Sequence, residues 1–155
     1  MPVEPSAINV PDVVGLVWTT TLDLPLEALD DAGQPVSWSE PIVEALVHIS
    51  GDWRGAVALH APASLVELIA QRMFQLDDHA PTPDDMRDAF GELANIIGGN
   101  IKGLVSDGGA SLSLPTVGER GEEVAIPGNH QIVRCTFTCD GRPLVVSVLQ
   151  GTMTA

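Results

Sequence analysis

Basic residues are scarce: seven Lys and Arg stand against 21 Asp and Glu, a formal charge of −14 over 155 residues. A surface of that sign repels nucleic acid and anionic membranes, which excludes a polyanion-binding role and leaves a solvated, soluble surface as the plain reading. Long apolar runs are absent too. No stretch reaches the ~18 apolar residues of a membrane span, and Met1-Pro2-Val3-Glu4-Pro5-Ser6 lacks a basic segment followed by an apolar one, so the expected location is cytoplasmic. Cysteine is limited to Cys135 and Cys139, four apart in a strand-like segment. Their Cα atoms would be about 13 Å apart on one face, too far for a disulfide, so they read as small hydrophobes in a reducing compartment.

The usual catalytic signatures are missing as well. There is no phosphate loop of the form GxxxxGK[ST] and no GxSxG nucleophile elbow, while His48, His60, His79 and His130 are scattered without paired spacing. Each histidine is therefore expected to be a surface or packing residue, and no metal site is expected.

The composition that remains, 45% hydrophobic in 155 residues, suits one domain with a sizeable core. Residues 1–10 are expected to be poorly ordered, with a single domain over 11–155. Val13, Val14, Leu16, Val17 and Leu22 follow Pro11-Asp12 as a short helix, with a strand as the alternative. Asp30 to Pro35 reads as a turn. Ile42–Ile49 and Arg54–His60 flank Ser50-Gly51-Asp52-Trp53 as a hairpin whose low polarity predicts cover on both faces. A helix with Pro62 in its first turn runs to about Leu76. Ser111–Leu114 alternates like a strand that Pro115 should end or mark as an edge, and Gly118–Asn129 reads as a polar loop. Two last strands follow, Val133–Cys139 and Leu144–Leu149, joined at Asp140-Gly141. In the first of these, Val133, Cys135, Phe137 and Cys139 should face the core and Arg134, Thr136 and Thr138 the wetter side. The economical fold is α+β: an antiparallel sheet with two long helices packed on one face.

The longest helical pattern is Thr82–Val105. Thr82 is placed to cap it, Pro83 suits its first position, and Asp84 and Asp85 favour the helix dipole, while Gly108-Gly109 should allow a left-handed exit. Met86, Ala89, Phe90, Leu93, Ile97, Ile101 and Leu104 form the face to be buried. Opposite, at about 100° per residue, Asp88, Asn95 and Gly99 lie within about 40° of one another with Glu92 just beside them. Gly91, Gly98, Gly99 and Gly103 each cost the helix roughly 1 kcal/mol relative to Ala, a loss that something should offset. Gly91 and Gly98 flank the core face and suit close packing; Gly99 and Gly103 lie beside Glu92 and Asn95, where a bare surface would admit a partner's backbone. On these grounds the polar face is either solvated or a recognition surface.

The run Asp88-x-x-x-Glu92-x-x-Asn95, then Ile96-Ile97-Gly98-Gly99-Asn100 and Leu112-Ser113-Leu114-Pro115-Thr116-Val117, resembles the CheC/CheX/FliY chemotaxis phosphatases, most closely CheX-like single-motif domains. A second ExxN is missing, since Glu67-Leu68-Ile69-Ala70 has Ala where Asn is needed. The resemblance implies a phosphatase that hydrolyses the aspartyl phosphate of a response-regulator receiver domain. Asn95 would orient the attacking water, and Glu92 would pair with the receiver's active-site lysine. Asp88 would support docking, with Gly99 giving room to the partner. It further implies no cofactor in this chain, Mg²⁺ supplied by the receiver, and a homodimer joined through sheet edges. Two other readings remain: a non-catalytic receiver-binding module of the same fold, and a structural α+β dimer.

Overall fold

The computed structural model describes residues 4, 7–29, 36–120 and 126–151. The expected turn at Asp30–Pro35 lies outside this set, as do part of residues 1–10 and the middle of the expected acidic loop. The chain opens with α1, Val10–Val17, whose N-cap Asn9 accepts the Asp12 N–H, and continues as a π-helical turn over Trp18–Leu22. The helical alternative for this segment is therefore the one adopted. Ile8 and Val10 are already buried, so the packed chain starts before Pro11.

The helices and strands then follow as β1 (Glu27–Leu29), β2 (Ile42–Gly51), β3 (Gly55–Pro62), α2 (Ala63–Phe74), α3 (Pro83–Val105), β4 (Ala110–Leu112), β5 (Thr116–Arg120), β6 (Asn129–Cys139) and β7 (Arg142–Gly151). The strands form one antiparallel sheet in the order β1-β6-β7-β3-β2-β4, with β5 also paired to β2. Inner-face residues Val43, Ala45, Val47, Val57, Leu59, Leu144, Val146, Val148 and Phe137 share one core with all three helices. Period-2 alternation sends Ala56, Ala58 and Leu149 to the opposite face, where Leu46 and Ile126 pack on them. All eight residues of β3 are buried, which is the two-sided cover its low polarity demands.

On that outer face His60 is buried against Glu44, with Nε2 to Oε2 at 2.9 Å, and Arg120 Nε lies 3.5 Å from Glu44 Oε1. Cys135 and Cys139 are not disulfide-bonded; of the two, Cys139 is the fully buried one, and burial pushes its thiol pKa up. Thr136, placed on the wetter face by its alternation, is buried as well. The β6–β7 hairpin turns on Asp140 and Gly141, both in the left-handed region (φ 52° and 74°), which is the type I′ geometry that Asp-Gly favours.

Several local expectations are corrected or sharpened. Pro62 is not inside α2 but ends β3 and caps the helix in extended conformation; Gln75, at φ 53°, stops the helix after Phe74. The N-terminal turn of α2 is instead satisfied from a distance, by Glu40, whose carboxylate accepts from both Ser64 N–H (3.0 Å) and Ser64 Oγ (2.6 Å). Helix α3 leaves in extended conformation at Ser106 (φ −135°), whose hydroxyl donates to Asp52 in the β2–β3 turn at 2.7 Å, and the positive-φ residue expected of the exit follows two residues later, at Gly108 (φ 99°). Pro115 marks an edge, one of the two outcomes expected of it, but pairing resumes beyond it: β4 pairs with the far end of β2 and β5 with its near half, so the expected loop from Gly118 begins inside a strand. A proline lacks the N–H that a ladder needs, which is tolerable only at an edge such as this. Strand β1 was not foreseen; three exposed residues carry no apolar run to mark it.

The Ser64 hydroxyl, then the Ser64 N–H, hold the Glu40 carboxyl below its ordinary value of 4.5. A depressed carboxyl stabilises the fold above its unfolded pKa, and that contribution fades as pH falls through the lower folded value. The difference in thermal midpoint between wild type and Glu40→Gln should therefore be largest near neutral pH and shrink on acidification below the ordinary carboxylate range.

Candidate functional site

Helix α3 begins where its signals place it. Thr82 Oγ accepts the Asp85 N–H at 3.1 Å and Asp85 Oδ2 accepts the Thr82 N–H at 2.9 Å, a reciprocal cap that fixes the first turn. Of the face expected to be buried, Ala89, Phe90, Leu93, Ile97 and Ile101 have no exposed surface, with Met86 and Leu104 partly covered at the two ends. Each of the large side chains contributes roughly 1.5–3 kcal/mol on burial, enough to hold the helix rigidly on the sheet.

The glycines divide as their positions on the helix suggest. A Cβ on Gly98 would come within 2.6 Å of Val47 Cγ2, and one on Gly91 within 3.3 Å of Pro115 and Val117. These two glycines let α3 approach β2 on one side and the segment linking β4 to β5 on the other. A Cβ on Gly99 or Gly103 would meet nothing within 4 Å, so that flank is open.

The open flank presents Asp88 and Glu92, both exposed, and Asn95, which is half-buried where exposure was expected. Rotation explains the difference. Asn95 lies about 50° from the mean direction of Gly91 and Gly98, closer to the packed linker than either acid. Among the described residues, no hydrogen bond or ion pair engages the side chains of Asp88, Glu92 or Asn95. Asn100 makes the contrast clear: it is spent internally, donating Nδ2 to Ile96 O at 2.9 Å. A free carboxamide and a free carboxylate thus sit three residues apart on a helix that cannot shift.

A groove of about 380 Å³ runs beside them, lined by Arg87, Asp88, Gly91, Glu92, Pro115 and Val117. Arg87 reaches back to Asp84 at 2.9 Å, with both side chains in solvent. In the sequence Pro115 reads as strand punctuation and Val117 only as part of the Leu112–Val117 run; their place against Gly91 is a tertiary fact. No group of three or more His, Cys, Asp and Glu that could hold a metal ion occurs among the described residues.

The fold and this acid–amide face define an α+β domain with an unengaged polar flank on a helix packed against the sheet. The family model for the chemotaxis phosphatase CheX matches residues 43–138, more than half of the sequence, and the chain belongs to that family. No curated protein matches the sequence. Among solved structures, a CheC-like superfamily protein from Shewanella sp. PV-4 is 18% identical, with a TM-score of 0.72, covering 96% of this chain and 98% of its own. Chemotaxis protein CheX from Vibrio vulnificus is 17% identical, with a TM-score of 0.70 and coverage of 92% and 94%. The CheX–CheY–BeF3–Mg complex from Borrelia burgdorferi contains a chain 18% identical, with a TM-score of 0.67 and coverage of 91% and 95%. These likenesses bear out the α+β fold and the CheC/CheX resemblance.

The split among the glycines has a measurable consequence. Gly98→Ala should destabilise by about 1–3 kcal/mol, since Val47 is buried and β-branched and cannot yield. Gly99→Ala should stabilise by up to about 1 kcal/mol through helix propensity. Chemical denaturation of both variants checks the pair of signs.

Proposed function

We propose that the protein accelerates hydrolysis of the aspartyl phosphate on a CheY-type receiver domain, with Asn95 orienting the attacking water and Glu92 pairing with the receiver's active-site lysine. The observation that carries this reading is the unengaged Asn95 carboxamide, fixed on a packed helix one turn from an unengaged Glu92. An acyl phosphate is already activated, so a donor and acceptor held in place can direct a water in line without supplying a nucleophile. The amide is well suited to this, because its carbonyl accepts from the water while its NH₂ donates to a phosphoryl oxygen. Glu92, exposed to solvent before docking, sets the register of the complex by charge. Asp88 reinforces that docking, and bare Gly99 lets the receiver's backbone approach the helix.

Mg²⁺ belongs to the receiver in this scheme, in keeping with the Borrelia assembly that includes CheY and magnesium. No cofactor is assigned to this chain. No helix among the described residues is long and apolar enough to cross a membrane, and we place the reaction in the cytoplasm with its receiver. A homodimer would form at a sheet edge; β1, with Glu27, Ala28 and Leu29 all exposed, pairs only with β6 and offers one.

Asn95→Ala should return receiver dephosphorylation to the receiver's own rate, a loss of about 100-fold or more, with folding stability changed by about 0.5 kcal/mol or less. Loss of phosphate followed over time, with wild type and variant side by side, decides it; equal rates would remove Asn95 from the mechanism. Glu92→Ala should raise the receiver concentration needed for half-maximal rate. A wild-type protein that binds the receiver without accelerating hydrolysis would instead be a non-catalytic adaptor.

A further inference from the structure

Leu114 is the most solvent-exposed large hydrophobic side chain among the described residues, at 87%, against 64% for Leu16, 41% for Leu29 and 40% for Phe74. Single exposed leucines are ordinary on protein surfaces, so exposure alone carries no argument. Position and rigidity do. The backbone on either side of Leu114 is fastened: Ser113 N–H donates to His48 O at 2.8 Å, His48 N–H donates to Ser113 Oγ at 2.9 Å, and Ser113 Oγ donates to Leu114 O at 3.0 Å. Pro115 then packs over Gly91. Leu114 is therefore held out in water by its neighbours and cannot fold back onto the core.

Its place relative to α3 follows from two contacts. Leu112 Cδ1 lies 3.4 Å from where a Gly98 Cβ would be, and Pro115 Cγ lies 3.3 Å from where a Gly91 Cβ would be. The seven helical residues from Gly91 to Gly98 rise about 10 Å, and the three extended residues from Leu112 to Pro115 cover the same distance, so the linker runs alongside α3 without slack. Leu114 then stands level with the turn that carries Glu92 and Asn95, on the flank toward which Asn95 is turned. The segment that carries Leu114 thus borders α3 at the turn of the acid–amide pair, beside the groove lined by Asp88, Glu92, Pro115 and Val117.

We propose that Leu114 is an apolar anchor for the receiver domain, entering a hydrophobic hollow on the receiver's surface next to its phosphorylated aspartate. The inference rests on the phosphatase reading and adds to it the apolar contact that charge alone leaves missing. Glu92 supplies direction in water, but an exposed ion pair contributes about 1 kcal/mol or less. Burying one leucine contributes more than that, and its fixed backbone leaves little entropy to lose.

The test measures binding of a beryllofluoride-activated CheY-type receiver, and steady-state dephosphorylation, for wild type, Leu114→Ser and Leu114→Met. Leu114→Ser should weaken binding by about tenfold or more and raise KM in proportion, with kcat unchanged and thermal stability unaltered. Leu114→Met, of similar volume, should restore the wild-type affinity. Wild-type affinity in Leu114→Ser would overturn the proposal, as would a fall in kcat with binding intact. Conversion of a dimer to a monomer by Leu114→Ser, seen in sedimentation, would assign the leucine to a second copy of the chain and overturn it equally. Failure of wild type to bind any activated receiver would remove the phosphatase reading itself, a result distinct from the others.

Discussion

The close approach of α3 to the sheet at Gly98 is the constraint on which the rest of the molecule depends. Only a hydrogen fits between the helix backbone and Val47 Cγ2, so the helix axis sits nearer to β2 than side chains would ordinarily allow. That proximity brings Phe90, Leu93, Ile97 and Ile101 fully into the core and brings Gly91 under Pro115. The linker between β4 and β5 is thereby drawn along the helix, and the partly covered Asn95 and exposed Glu92 take their different environments from it. A helix lying farther from the sheet would present the same residues on a surface free to rotate. Positioning chemistry tolerates little of that freedom, because displacement of a reacting group by an ångström is expensive in rate.

Much of this was legible before the structure. The 3.6-residue period named the buried residues of α3, the Thr82-Pro83-Asp84-Asp85 start named its first turn, and Asp140-Gly141 named the tightest hairpin. The division of the helix glycines into a packed pair and an open pair was also readable, since helical phase alone separates Gly98 from Gly99 by a wide angle. What escaped detection depended on distant partners. Glu40 satisfies α2 from 24 residues upstream, Asp52 draws Ser106 out of the helix, and β5 resumes after Pro115 because β2 offers a second free stretch of ladder. A proline after a strand pattern signals an end or an edge, and only the position of β2 decides between them. The half-burial of Asn95 and the outward fixing of Leu114 were hidden for the same reason: neither follows from helical phase without the position of the linker.

The membership in the CheX family and the geometry of α3 support each other at different levels. The family match runs from β2 to β6 and includes α2 and α3, while the fold likeness extends over nearly the whole chain at identities under one fifth. At that distance most surface positions have been free to change, and the fold alone would say little about the site. The internal use of Asn100, against the unspent amide of Asn95, is a distinction that belongs to this molecule. It separates two asparagines five residues apart by what each already bonds, and needs no comparison to do so.

The broken edge beside β2 has a further effect on how the protein behaves in crowded company. An uninterrupted edge strand offers a row of free N–H and C=O groups on which another chain can build a sheet. Here the row is cut into a run of three residues and a run of five, with a proline between them and Leu114 standing beside the cut. Neither run is as long as the strand it covers. The surface that carries the most exposed large hydrophobic side chain among the described residues is thus one where backbone pairing with a stranger has only short runs to build on, which works against a sticky contact growing into aggregation.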